Sequence, residues 1–195
     1  MTVIGLVRHG VTQWNQEGRA QGQHDIPLNA EGLRQAERLA RRLKDEEWDL
    51  IYSSDLQRAS RTAEIVGEAL GKPVLLDRRL REKTHGRLDG TTLQERIELW
   101  GSNWQQLDHG EESREAVADR GTSFFTDMLE KHEGRRILVV THGAWIRATL
   151  AALVAELETE LRGNDISNTS VCMLGHRDER WSSLLFNCTR HLETV

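Results

Sequence analysis

Short apolar runs alternate along the chain with longer segments in which apolar residues recur every three or four positions. The runs are almost continuously apolar, as expected for strands that are covered by helices on both faces. They are VIGLV (3–7), LIYS (50–53), PVLL (73–76) and ILVV (137–140). Strands that alternate with helices in this way predict an α/β fold with a mostly parallel sheet.

The segments between the runs predict four amphipathic helices, because each has one apolar face with a period of about 3.6 residues. Asn29 is placed to cap the first helix, and Gly71 and Pro73 mark the end of the second. The four apolar faces consist of Leu33, Ala36, Leu39, Ala40 and Leu43; Leu56, Ala59, Ala63, Val66 and Leu70; Val117, Gly121, Phe124 and Met128; and Ile146, Leu150, Leu153 and Leu157.

The C-terminal segment predicts two more strands, SVCML (170–174) and WSSLLF (181–186), joined by a turn at residues 176–179. We expect these strands at an edge of the sheet. No linker, repeat or change of composition divides the 195 residues. The sequence therefore predicts a single domain over residues 1–195.

Composition excludes several classes of partner. A net charge of −5 disfavours nucleic-acid and anionic-membrane surfaces, which need a positive field. Each apolar segment is too short or too interrupted by charge to span a bilayer, and the N-terminus lacks the pattern of a signal peptide. Cys172 and Cys188 are too few for a disulfide framework. We expect a soluble, cytoplasmic protein with reduced thiols, either a monomer or a homodimer.

Two His-Gly pairs follow predicted strands. Arg8, His9 and Gly10 come directly after the first apolar run, and His142 with Gly143 comes after the fourth. Ligands of open α/β sheets bind beyond the carboxyl ends of the strands, so these side chains are expected to line one pocket. Alternatively, each histidine only hydrogen-bonds at its strand end. Two similar placements and a neighbouring arginine make that alternative less favoured.

Three chemistries compete for two histidines and an arginine in one cleft: metal binding, acid–base catalysis and nucleophilic attack. Zinc would need a third ligand, the sequence has no HxH or HExxH spacing, and Arg8 would repel a dication. We therefore expect no metal. The planar guanidinium of Arg8 matches phosphate oxygens, which favours phosphoryl transfer to a histidine.

Further phosphate donors lie nearby in the sequence. Thr12 and Asn15 follow in the loop after His9. Arg58 is expected in the first turn of the second helix, where the helix N-terminus also favours an anion. Arg61 is an alternative, although it is also placed to pair with glutamates one turn further along the helix. Arg58 is the preferred candidate.

Five blocks carry a family resemblance: LVRHGVTQWN, QGQHDIPLNAEGLRQA, YSSDLQRASRTAEI, LREKTHGRLDG and VVTHGAW. In this order they resemble the histidine phosphatase superfamily, in its cofactor-dependent phosphoglycerate mutase-like group, up to about Leu157. Val11 departs from the polar residue usual in relatives. The resemblance implies a three-layer α/β/α sandwich with a mostly parallel central sheet.

The resemblance also implies roles for individual residues. His9 would be the phosphorylated nucleophile, and Glu82 the proton donor that later activates water. The phosphoryl group would be bound by Arg8, Arg58 and His142. Further substrate-binding positions would be Thr12, Asn15, Gln21, Gly22, Gly143 and His85, although His85 is equally placed to pack. No cofactor or metal is implied.

The tract from Leu93 to Glu115 decides between the activities of this family. It holds six acidic residues against two arginines, a balance that disfavours a mutase, which must hold a phosphoglycerate carboxylate and a second phosphate. We therefore expect a phosphatase for a small phosphomonoester with a neutral or apolar leaving group. Trp100, Trp104 and Leu107 form either a lid or ordinary core. A phosphoglycerate mutase, a protein phosphatase and a catalytically weak binding module remain alternatives.

Overall fold

A mixed sheet of six strands forms the centre of the computed structural model, which describes residues 1–193. The strands are β1 (Thr2–Arg8), β2 (Leu50–Ser53), β3 (Val74–Leu76), β4 (Arg136–Thr141), β5 (Val171–Arg177) and β6 (Arg180–Cys188). Their order is β3-β2-β4-β1-β5-β6. All pairings among β1 to β4 are parallel, β5 is antiparallel to β1, and β6 is antiparallel to β5. The mostly parallel sheet predicted from the sequence is confirmed.

Helices cover both faces of the sheet. They are α1 (Gln13–Gln16), α2 (Ala30–Leu43), α3 (Gln57–Leu70), α4 (Leu93–Trp100), α5 (Arg114–Lys131), α6 (Gly143–Leu153) and α7 (Glu158–Gly163). Single turns of 3₁₀ helix lie at Arg78–Leu80, Gly86–Leu88, Trp104–Gln106, Ala155–Leu157 and Arg190–Leu192. Of the helices within residues 1–193, none is long and apolar enough to cross a membrane.

Two hydrophobic cores, one on each face of the sheet, produce the three layers. On one face α5 and α6 pack against alternate residues of β1 and β4, such as Leu6 and Val139. On the other face α2 and α3 pack against the intervening residues, such as Val7 and Val140. The side chains of a strand alternate between faces, so every second residue of a continuously apolar run serves each core.

Three details differ from the sequence-based expectation. Leu33 is 36% exposed, because Gly32 takes the buried position; a Cβ on Gly32 would lie 2.1 Å from the carbonyl oxygen of Val11. The edge strand β3 leaves Leu76 59% exposed, so it is not covered on both faces. The turn before β6 consists of residues 178 and 179, both with positive φ, which suits a two-residue hairpin. The sheet-edge position of β6 is confirmed.

The sheet brings three strand ends together. Arg8 lies opposite Thr141 in the parallel pairing of β1 with β4, and the His9 amide donates to the Thr141 carbonyl at 3.0 Å. On the other side of β4, the amide of Ser54 donates to the carbonyl of Val140 at 3.0 Å. The residues that follow β1, β2 and β4 therefore meet at one edge of the sheet.

Candidate active site

The imidazole of His9 is buried and held in one tautomer. Its Nδ1 lies 2.7 Å from the carbonyl oxygen of Gly10. A carbonyl can only accept a hydrogen bond, so Nδ1 carries the proton and Nε2 keeps its lone pair. Burial holds the pKa of His9 well below its usual range, and the positive charges of Arg58 and Arg8 lower it further. His9 is therefore neutral at pH 7 and has a nucleophilic nitrogen.

His142 lies beside it, with the two ring centroids 5.2 Å apart. Its Nε2 is 2.9 Å from Oγ of Ser54, and this hydroxyl has no other acceptor within residues 1–193. We therefore assign Ser54 as the donor to Nε2, which leaves the proton of the neutral ring on Nδ1. Burial lowers the pKa of His142 well below its usual range, with Arg58 a further cause. The sequence analysis missed Ser54, although its place directly after a strand was a signal.

The two arginines are fixed by backbone carbonyls. Nη1 of Arg8 donates to the carbonyl oxygen of Ile166 at 2.5 Å. Nη1 and Nη2 of Arg58 donate to the carbonyl oxygens of His24 and Gly22 at 2.6 and 2.7 Å. Burial lowers the pKa of Arg58 to about 10, so its guanidinium still carries a positive charge at pH 7.

Three buried donors of this cluster have no hydrogen-bond partner in the described part of the chain: Nε of Arg8, Nε of Arg58 and Nδ1 of His142. A buried polar atom without a partner costs on the order of 1–3 kcal/mol. Native proteins keep few such atoms, and those they keep often mark a ligand or a catalytic role. Two of these donors are cationic, so the missing acceptor that suits them is an anion.

Glu82 lies at the N-terminus of α6. Its carboxylate accepts the backbone N–H of Lys83 at 2.8 Å, of Ala144 at 3.2 Å and of Trp145 at 3.0 Å. These contacts fix the carboxylate beside Gly143, although Glu82 and Gly143 are far apart in the sequence.

Glu82, Arg8 and Gly143 line one cavity of about 350 Å³, which we call the strand-end pocket. Arg147 and Asp165 form part of its mouth. The side chain of Asp165 is 95% exposed, so the pocket opens to solvent. Of the predicted site residues, Arg8, Glu82 and Gly143 line this pocket. His9 and His142 lie in the buried cluster, which shares Arg8 with the pocket.

The loop residues predicted to bind substrate form hydrogen bonds with one another and with Arg58. The Thr12 hydroxyl donates to Oε1 of Gln21 at 2.9 Å and accepts the amide of Asn15 at 3.1 Å. Gly22 supplies a carbonyl to Arg58, and its φ of +47° favours glycine. Substrate contact by Thr12, Asn15, Gln21 and Gly22 stays a prediction.

The tract after Glu82 folds around its own side chains. His109 is buried, donates from Nε2 to the Trp104 carbonyl at 2.7 Å, and contacts the Trp100 ring at a centroid distance of 4.8 Å. Trp100 and Trp104 are half-buried, whereas Leu107 is 47% exposed. Both tryptophans therefore take part in local packing, and a lid function stays untested.

The two residues whose roles were left open now have visible partners. Arg61 pairs with Glu64 at 3.0 Å on the exposed face of α3, as the alternative interpretation expected. Nδ1 of His85 lies 3.5 Å from the carboxylate of Glu111, and its side chain is 26% exposed. Contact between His85 and a substrate stays a prediction.

Known proteins with similar sequences identify the family. The sequence profile described as histidine phosphatase superfamily (branch 1) matches residues 4–189. The chain belongs to this superfamily. The uncharacterized phosphatase PhoE of Bacillus subtilis is 34% identical over 192 residues, which cover 98% of this chain and 97% of that protein. The probable phosphoglycerate mutase GpmB of Escherichia fergusonii is 38% identical over 193 residues, 93% of this chain and 88% of that one.

Solved structures of histidine phosphatases share the fold. A mutant phosphoserine phosphatase of Entamoeba histolytica, in complex with phosphoserine, superposes with a TM-score of 0.84 at 30% identity. The superposition covers 99% of this chain and 100% of that one. The three-layer α/β/α sandwich implied by the five sequence blocks is therefore confirmed.

Lowering the pH from 7 to 5 is expected to decrease the free energy of unfolding. The pKa values of His9 and His142 are held well below 6.5 in the folded chain, so these two imidazoles take up protons in this range only when the chain is unfolded. Their contribution to stability is fully present above the unfolded pKa and is lost as the pH falls below it. Each histidine contributes up to about 1.4 kcal/mol per pH unit, which urea unfolding at several pH values measures.

The variant His9→Ala serves as the matched control for this measurement. It removes one buried imidazole, so the slope should fall by up to about 1.4 kcal/mol per pH unit. An unchanged slope in the variant would show that the native imidazole of His9 titrates as the unfolded one does.

Proposed function

We propose that the chain, as a single histidine phosphatase domain, hydrolyses small phosphomonoesters through a phosphohistidine on His9. One observation carries this proposal: a neutral imidazole with a free Nε2 lies in a cluster whose buried donors lack an acceptor. A phosphoryl group supplies the acceptors and the electrophile together. The names of the relatives, phosphatase, phosphoserine phosphatase and phosphoglycerate mutase, agree with this chemistry.

In the first step, Nε2 of His9 attacks phosphorus in line with the ester oxygen. The P–N bond forms as the P–O bond breaks, and its electron pair goes to the leaving oxygen. Glu82 delivers the proton that turns this oxygen into an alcohol. Arg8, Arg58 and His142 donate to the equatorial oxygens, where charge is spread in the transition state.

In the second step, water attacks the phosphohistidine. The carboxylate of Glu82 takes a proton from this water, the P–N bond breaks, and Nε2 of His9 regains its electron pair. Inorganic phosphate leaves, and the protonated Glu82 is ready for another ester. The carboxylate of Glu82, which would take this proton, lines the solvent-open strand-end pocket.

The purified protein is expected to release phosphate from small phosphomonoesters at an unchanged rate in the presence of EDTA, because arginines supply the positive charge.

Conversion of 3- to 2-phosphoglycerate with a bisphosphate primer is expected to be negligible beside hydrolysis. A malachite-green assay of phosphomonoesters and a coupled mutase assay measure the two rates. Loss of activity with EDTA and its recovery with one metal would overturn the mechanism, and efficient mutase turnover would overturn the assignment as a phosphatase.

A further inference from the structure

Glu82 lies on a short segment whose backbone is held by one side chain of α5, the guanidinium of Arg120. Nη1 of Arg120 donates to the carbonyl oxygen of Arg79 at 2.7 Å and to that of Arg81 at 2.5 Å. No other donor within residues 1–193 bonds to the Arg81 carbonyl. This carbonyl and the amide of Glu82 belong to one planar peptide group, so Arg120 fixes the backbone that leads into Glu82.

The other nitrogens of Arg120 connect it to the chain that follows Glu82. Nε and Nη2 donate to the two carboxylate oxygens of Glu112 at 2.8 and 3.0 Å. The two side chains are only 19% and 18% exposed, so water competes little for this bidentate pair. The backbone N–H of Glu112 donates in turn to the carbonyl oxygen of Thr84 at 3.0 Å. Arg120 and Glu112 therefore hold the backbone on both sides of Glu82.

The two ends of Glu82 are thus attached to different helices. Its carboxylate accepts backbone amides in the first turn of α6, whereas its backbone is held from α5 through Arg120. The two helices pack closely where Gly121 faces Thr149, because a Cβ on Gly121 would lie 2.1 Å from the Thr149 hydroxyl oxygen. This packing sets the distance between the two anchors of Glu82. We therefore expect a change at the Arg120 anchor to move the carboxylate.

The position of this carboxylate matters for proton transfer. A general acid must lie within hydrogen-bond reach of the leaving oxygen, and a misplacement of about 1 Å costs on the order of 10² in rate. A purely structural ion pair would show the same contacts as Arg120 and Glu112. The two interpretations differ in their effect on leaving groups, because only loss of the acid depends on how much the leaving oxygen needs a proton.

We propose that Arg120 is a positioning residue for the general acid. Together with Glu112 it sets the position of the Glu82 carboxylate relative to the leaving oxygen, without contacting the substrate itself. The planar guanidinium serves one carboxylate and two carbonyls at once, which the ammonium group of a lysine does not match. This inference rests on the proposed function, in which Glu82 protonates the leaving group.

The variant Arg120→Gln tests the proposal through the leaving group. Single-turnover formation of phosphohistidine from an alkyl phosphate should slow by about 10- to 100-fold, the effect of a misplaced acid. The same step with p-nitrophenyl phosphate should lose much less, because a nitrophenolate departs without a proton. Equal losses for the two substrates, or an unchanged rate with the alkyl phosphate, would overturn the positioning role.

A double variant shows whether Arg120 acts through Glu82. In the Glu82→Gln background there is no acid left to position, so Arg120→Gln should cause no further loss with the alkyl phosphate. Independent effects would instead multiply in rate, as they do for sites that do not interact. A further loss as large as in the wild-type background would therefore contradict the proposal.

The variant Glu112→Gln serves if Arg120→Gln does not fold. It leaves Arg120 in place and weakens one side of the bidentate pair, so the loss with the alkyl phosphate should be smaller but equally dependent on the leaving group. Equal losses for both substrates would again overturn the proposal.

The variant Arg136→Gln is the matched control. Nε of Arg136 also donates to a backbone carbonyl, that of Glu47 at 2.7 Å, but at the N-terminal end of β4, away from the site. Both rates should be unchanged in this variant. The same leaving-group dependence in Arg136→Gln would show that it does not report on Glu82.

Hydrogen exchange measures the position of Glu82 without turnover and separates this inference from the proposed function. In Arg120→Gln the amides of Ala144 and Trp145, which bond to the Glu82 carboxylate, should exchange about tenfold faster. The next amide, that of Ile146, bonds to a backbone carbonyl and should be unchanged. Unchanged exchange at Ala144 and Trp145 would overturn the positioning role in an active phosphatase. Faster exchange in a protein without hydrolysis would support the positioning of Glu82 and overturn the phosphatase.

Discussion

Replacing His9 with alanine is expected to lower kcat by a factor of at least about 10⁴, as removal of a catalytic nucleophile does in other enzymes. The reason is that the P–N bond can form only at the free Nε2 of this imidazole. No acid-labile phosphoryl group should accumulate on the variant, whereas the wild type should carry one on His9 during turnover. Rapid quench and mass spectrometry under alkaline conditions measure this label, and phosphate release measures kcat.

The variant His176→Ala is the matched control for the loss of a histidine. His176 lies opposite Thr2 in the pairing of β5 with β1, at the far end of β1 from His9, and its ring contacts Trp181. We expect unchanged activity and unchanged labelling of His9 in this variant. Labelling of another histidine in the wild type, or full activity in His9→Ala, would exclude His9 as the nucleophile.

The second large effect is expected for Glu82→Gln, and its size should depend on the leaving group. A positioned general acid contributes roughly 10²–10⁴ in rate when the leaving oxygen is a strong base, as in an alkyl phosphate. A nitrophenolate departs without a proton, so p-nitrophenyl phosphate should lose much less. Single-turnover formation of phosphohistidine measures the two losses in the step where the acid acts. Steady-state rates would also depend on the second step, in which Glu82 acts as a base.

Two controls accompany this measurement. Glu130→Gln changes an exposed residue near the end of α5, away from the site, and should leave both rates unchanged. Thermal melting of Glu82→Gln checks the fold, because the new amide group faces backbone N–H donors that the carboxylate satisfied. Equal losses for the two leaving groups would remove Glu82 from the role of proton donor, and His85 would be the next candidate.

Much of the architecture could be predicted because the pattern of apolar residues is local information. The strands β1, β2, β3 and β4 follow from continuously apolar runs, and the apolar faces of the main helices follow from a period of 3.6 residues. The convergence of His9 and His142 followed from the rule that parallel strands end at one edge of the sheet. Leu33 was misplaced because burial of Gly32 depends on a close approach of the loop at Val11, which no local period encodes.

The parts that could not be predicted depend on contacts between residues distant in the sequence. Ser54 positions His142 across two strands, and nothing in the pattern of either strand pairs them. The ion pair of Glu95 with Arg19 likewise joins separate segments, so a count of charges in the sequence could not show it.

The three buried donors of Arg8, Arg58 and His142 have a consequence for the end of the catalytic cycle. Any tetrahedral anion that accepts hydrogen bonds from these donors offsets part of the cost of burying them. This holds for free phosphate as well as for a phosphate ester. Free orthophosphate is such an anion, and its binding at a free concentration c would stabilise the folded state by RT ln(1 + c/Kd). The same donors that attract the ester therefore retain the product. We therefore expect free phosphate to inhibit hydrolysis as a product.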